Sequence, residues 1–116
     1  MVFRQDDTRK DVVILSADAR LLFESQQGFV QDLDRYIGLG ARKLIVDCTE
    51  LTRISSYGLG TLTLFHGRLA DKGGEIKLAS VTDVVGKVID ATGLGTMLPI
   101  YPTVQDARRA FVGKDE

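Results

Sequence analysis

Three short aliphatic runs constrain this chain more than anything else in it. They are Val12-Val13-Ile14-Leu15, Leu44-Ile45-Val46 and Ile76-Lys77-Leu78-Ala79, the last led in by Glu75. Each is about the length of a strand, and the first two are apolar at every position. A strand with one wet face alternates apolar and polar residues. An unbroken apolar run predicts burial on both faces. Between the runs lie segments with helical spacing. Phe29, Val30, Leu33, Tyr36 and Ile37 form one stripe, and Leu59, Leu62, Phe65 and Leu69 a second. Val84, Val85, Val88 and Ile89 line a third, and Val104, Ala107, Ala110 and Phe111 a fourth. Val2 to Gln5 and Met97 to Tyr101 read as additional short strands. The predicted order is β-β-α-β-α-β-α-β-α. That alternation implies an α/β fold with a mixed sheet of four to five strands packed with about four helices.

Punctuation supports these boundaries. Gly38 and Gly40, Gly73-Gly74 and Gly93 follow the first three helical stripes, where glycine commonly ends helices. Ser25 is placed to cap the first helix, and Thr103 with Asp106 resembles a capping box for the last. At 116 residues and 44% hydrophobic content the chain suits one domain over 1–116, with a core over about 11–112 and a short tail at 113–116. Net charge is −1, from 15 basic and 16 acidic residues, so nothing electrostatic points to nucleic acid or an anionic membrane. The single cysteine, Cys48, allows no internal disulfide and suits a reducing compartment. No run approaches the roughly 20 apolar residues of a membrane span. The charged N-terminus lacks a signal-peptide core, so a cytoplasmic protein is expected.

The most informative local segment is Ile54-Ser55-Ser56-Tyr57-Gly58-Leu59-Gly60. It lies between a strand ending at Asp47 and a helix-like run from Leu59 to Asp71. A serine there caps the helix by accepting a backbone N–H. A phosphate there is also favoured, because the helix dipole presents positive charge. Competing chemistries fit poorly. Gly58-Leu59-Gly60 lacks the further residues of a dinucleotide or P-loop fingerprint. The only histidine, His66, lies about 15 Å along the expected helix from Ser56 and cannot serve as its base. Asp47 lacks the acidic company of a magnesium site and is expected to bond loop N–H groups. Cys48 reads as a buried filler. No catalytic residue, metal ligand or cofactor is expected.

From Val12 to Phe111 the chain resembles the STAS domain, the fold of bacterial anti-sigma-factor antagonists. The likeness is strongest from Lys43 to Leu78, where an apolar strand ending in Asp47 is followed by Ser55-Ser56-Tyr57-Gly58-Leu59-Gly60. Val88-Ile89-Asp90-Ala91-Thr92-Gly93-Leu94 and Met97-Leu98-Pro99-Ile100-Tyr101 also fit. The resemblance implies a regulatory binding protein rather than an enzyme. Its partner would be an anti-sigma factor that is also a serine kinase, with a phosphatase reversing the modification. It places the phosphoacceptor on Ser56 and a partner-binding surface on Ser55, Ser56, Tyr57, Gly58 and Leu59. Two positions differ from the family pattern. Ser55 stands where the family has Asp, and Ala19-Arg20-Leu21-Leu22 stands where it often has Gly-x-Leu-Asp. The alternatives are a binding or scaffold module without a phospho-switch, and a small-molecule or nucleotide sensor using the same helix start.

Overall fold

In the computed structural model the described residues are 2–6, 9–18 and 26–115. The expected Ser25 cap, Asp7, and the run Ala19 to Leu22 lie outside them. The elements are β1 (Val2–Gln5), β2 (Val12–Ser16), α1 (Gln26–Gly38), β3 (Lys43–Asp47), α2 (Ser56–Ala70), β4 (Glu75–Ala79), α3 (Asp83–Thr92), β5 (Ile100–Tyr101) and α4 (Val104–Asp115). Their order is the one that the alternating pattern predicts. The five strands form one sheet in chain order, with β1 antiparallel to β2 and all later neighbours parallel.

Register explains the unbroken apolar runs. Val13 pairs with Leu44 and Leu15 with Val46, while Val12 pairs with Lys43 and Ile14 with Ile45. Successive side chains therefore enter opposite layers. Val13, Leu15, Leu44, Val46, Ile76 and Leu78 join one core with Leu33 of α1, Leu62, Phe65 and Leu69 of α2, and Val85 and Ile89 of α3. Val12, Ile14, Ile45 and Ala79 join a smaller one with Ala107 and Phe111 of α4. Three helices thus cover one face of the sheet, and α4 covers the other.

Glycine is required at two turns. Gly93 ends α3 at φ 75°, the left-handed cap conformation. Gly74 admits the chain into β4, because a Cβ there would lie 2.1 Å from the Arg42 carbonyl oxygen.

Three local expectations need correction. α2 begins at Ser56 rather than Leu59. Val84 is 59% exposed and does not belong to the buried stripe of α3, which turns Val85 and Ile89 inward. The run from Met97 is strand only at Ile100 and Tyr101, because the amides of Met97 and Leu98 both donate to the Leu94 carbonyl at 3.0 and 2.8 Å.

Candidate functional site

The parallel strands β3 and β4 end side by side, and the chain leaving β3 builds the site there. Asp47 curls it. One carboxylate oxygen accepts from the Thr49 amide at 3.1 Å and the Thr49 hydroxyl at 2.6 Å. This is the loop-bonding role expected for Asp47. The Cys48 amide donates to the Ala79 carbonyl at 2.8 Å, tying the loop to β4. Leu51 is buried, and its carbonyl accepts the Thr82 hydroxyl at 3.3 Å. The same hydroxyl accepts from the Val85 amide, capping α3. Ile54 packs partly against the larger core. The loop reaches α2 anchored by burial at Cys48, Leu51 and Ile54.

Ser55 is the N-cap. Its backbone is extended at φ −105° and ψ 173°, and its hydroxyl oxygen accepts the Gly58 amide at 3.3 Å. Its carbonyl accepts the Leu59 amide at 2.9 Å, which starts the helical ladder. Ser56 is therefore the first helical residue, and its side chain is exposed. Tyr57 and Leu59 are half-buried, with Leu59 against the larger core, and Gly58 is buried. The two serines thus divide the tasks: one satisfies the helix end, and the other stands in solvent at the positive end of the dipole.

Nucleophilic chemistry finds no support in this arrangement. His66 is half-buried on the same helix, ten residues beyond Ser56, or about 15 Å along the axis. The Cys48 thiol is pushed up to about 12 by burial and by the neighbouring Asp47 charge, against a smaller lowering from a backbone hydrogen bond with Ala79. It stays protonated and un-nucleophilic at neutral pH. Among the described residues no three His, Cys, Asp or Glu side chains group as metal ligands.

The Thr82–Leu51 brace behind the site escaped the sequence reading. Thr82 stands just before an apolar stripe, a recognisable cap position, but its contact with a loop 31 residues earlier has no local signal.

The sequence profile of the STAS domain matches residues 4–107. A Thermotoga neapolitana protein, named as a candidate anti-sigma factor antagonist, is 26% identical over 90% of this chain and 94% of its own. A Thermotoga maritima protein with the same description is 28% identical over 84% of this chain and 87% of its own. The solved structure of the anti-sigma factor antagonist SpoIIAA in its unphosphorylated form superposes with a TM-score of 0.79 at 18% identity, covering 97% of each chain. Its phosphorylated form gives 0.65 at 16% identity, covering 94% of this chain and 99% of that one.

Proposed function

Because the chain belongs to the STAS domain family, we propose that it is an anti-sigma-factor antagonist, binding an anti-sigma factor through the start of α2 and switched by phosphorylation at Ser56. The observation that carries this is the division of labour between the serines. Ser55 holds the helix end, so Ser56 is exposed and has no capping duty to lose when modified. The absence of the family's aspartate does not disturb the helix start, since Ser and Asp are comparable caps. Tyr57 and Leu59 flank the acceptor and complete the docking surface, while Gly58 contributes the amide that Ser55 caps.

A phosphate adds roughly −1.5 to −2 charges. At the first position of a helix the dipole tolerates that charge, so the fold persists. What changes is the surface offered to the partner, which then meets a bulky, strongly hydrated dianion. The protein thus acts by binding rather than by turnover, and it works in the cytoplasm beside its partner. Among the described residues no helix is long and apolar enough to cross a membrane.

The test uses serine-kinase anti-sigma factors from the same organism. Incubation with ATP followed by mass spectrometry should place phosphate on Ser56. In binding assays Ser56→Ala should match the unmodified protein, and Ser56→Asp should bind at least about tenfold more weakly, a loss of about 1.4 kcal/mol. Equal binding by wild type, Ser56→Ala and Ser56→Asp would overturn the switch.

A further inference from the structure

The helix α4 is secured to the sheet differently from the helices on the opposite face. Among the described residues it buries only Ala107 and Phe111 completely, over Val12, Ile14, Ile45 and Ala79, with Val104 half-buried beside them. On the other face α2 alone buries Leu62, Phe65 and Leu69. Charge supplies much of the remaining hold on α4. Arg108 reaches the chain just past β1 and donates to the Asp6 carboxylate at 2.5 Å. That carboxylate has 1% of its side chain exposed, and it also accepts the Arg9 amide at 3.1 Å. Such a pair demands close geometry and is lost as soon as the two elements separate.

Two features oppose the docked position. The Arg108 Nε–H is buried without a hydrogen-bonding partner in the protein, a cost that separation relieves. Lys77 is 5% exposed beneath α4, and no carboxylate among the described residues pairs with it. Its ammonium rests over the rings of Phe111 and Tyr101, contacts that replace only part of a cation's hydration. The connection also permits movement. β5 is two residues long, and Pro102-Thr103, which joins it to α4, is exposed. The Pro102 carbonyl accepts the Ser80 hydroxyl at 3.4 Å, which anchors the start of the link and leaves Thr103 free to turn.

We propose that α4 is a latched cover, which swings off the sheet as a unit about Pro102-Thr103 when Arg108 leaves Asp6, while α1, α2 and α3 stay packed. Opening bares Val12, Ile14, Ile45 and Ala79 as an apolar strip and returns Lys77 to water. This second state forms on the face of the sheet opposite α2. It is independent of Ser56 and of the proposed switch.

The test is native-state hydrogen exchange, followed by NMR on the whole chain in urea below its unfolding transition. The probes are the amides of Ala107 to Phe111 in α4 and of Val46 in β3, a strand paired on both sides. In wild type the α4 amides should exchange at least about 100-fold faster than Val46 and respond weakly to urea, because opening the cover exposes far less surface than unfolding. Phe65→Leu weakens the opposite core, which stays packed when the cover opens. It should speed Val46 at least about tenfold and change α4 by less than about twofold. Asp6→Asn, which removes the charge of the latch, should speed α4 at least about tenfold. Equal exchange of α4 and Val46 with equal urea dependence overturns the proposal. So does equal acceleration of both by Phe65→Leu, since α4 would then open only with the whole fold. Unchanged α4 exchange in Asp6→Asn also overturns it, because the ion pair would then not be the latch.

Discussion

The two faces of the sheet are held by different physics. The face under α1, α2 and α3 is a continuous apolar core that runs from Val13 to Leu98 and is topped by Phe65, fully buried on α2. The face under α4 has, among the described residues, six buried apolar side chains and is ringed by charge. Asp6, buried near the end of β1, meets Arg108 of α4 at 2.5 Å, and Asp11 meets both Arg9 and Lys43 at 3.1 Å. The Lys77 ammonium lies over the rings of Phe111 and Tyr101, at 4.6 and 5.2 Å. Apolar burial is non-directional and indifferent to pH, whereas ion pairs require geometry and a charge state. The helix that carries Ser56 rests on the first kind of face. Changing charge at Ser56 therefore leaves its support intact.

This contrast predicts effects of graded size. Phe65→Ala should cost about 3–5 kcal/mol in urea unfolding, the usual loss for a large buried ring, and the cost should not change with salt. A small or salt-dependent loss would mean that the core is not the main support of α2. On the other face, Asp6→Ala leaves the Arg108 guanidinium partly buried and unpaired. The expected cost is about 2 kcal/mol, below the 3–5 for a fully buried pair because Arg108 keeps 35% of its side chain exposed. Replacing both residues together should recover part of it.

At the helix start the expected changes are smaller. Ser55→Ala should lower stability by about 1 kcal/mol through loss of the cap, and Ser56→Ala by less than about 0.5. Equal costs for the two serines would contradict the assignment of Ser55 as the cap. The weakest effect concerns Asp11. Burial alone would raise its carboxyl, but hydrogen bonds and charge from Lys43 and Arg9 outweigh that and hold it below the ordinary value. A carboxylate lowered by folding contributes stability above its unfolded value, near about pH 4, and loses it as pH falls through the folded one. Acid unfolding followed by circular dichroism should therefore have a shallower limb in Lys43→Met than in wild type.

The three central strands, β2, β3 and β4, were legible because both of their faces are buried. Val12 to Leu15 carries no polar alternation to confuse the pattern. The Ser55–Ser56 helix start was legible because capping is a local preference of serine. Its exact onset was not. Ser-Tyr-Gly-Leu-Gly has poor helix propensity, so periodicity begins at Leu59, while the bond from Gly58 to Ser55 starts the helix three residues earlier. Val84 shows a different limit. Spacing in sequence identifies an apolar stripe, but its phase follows from how Thr82 caps the helix and braces Leu51.

By itself the sequence determined the order of strands and helices, the two-sided burial of the sheet and the place of the serines, because propensity, capping and periodicity act over a few residues. Only the tertiary structure decided the rest. It set which serine caps and which is exposed, it joined Asp6 to Arg108 across 102 residues, and it confined the pairing of β4 with β5 to Leu78 and Ala79 when Leu94 drew Met97 and Leu98 into a turn. Those outcomes depend on groups that meet only after the chain has closed, and no local pattern records them.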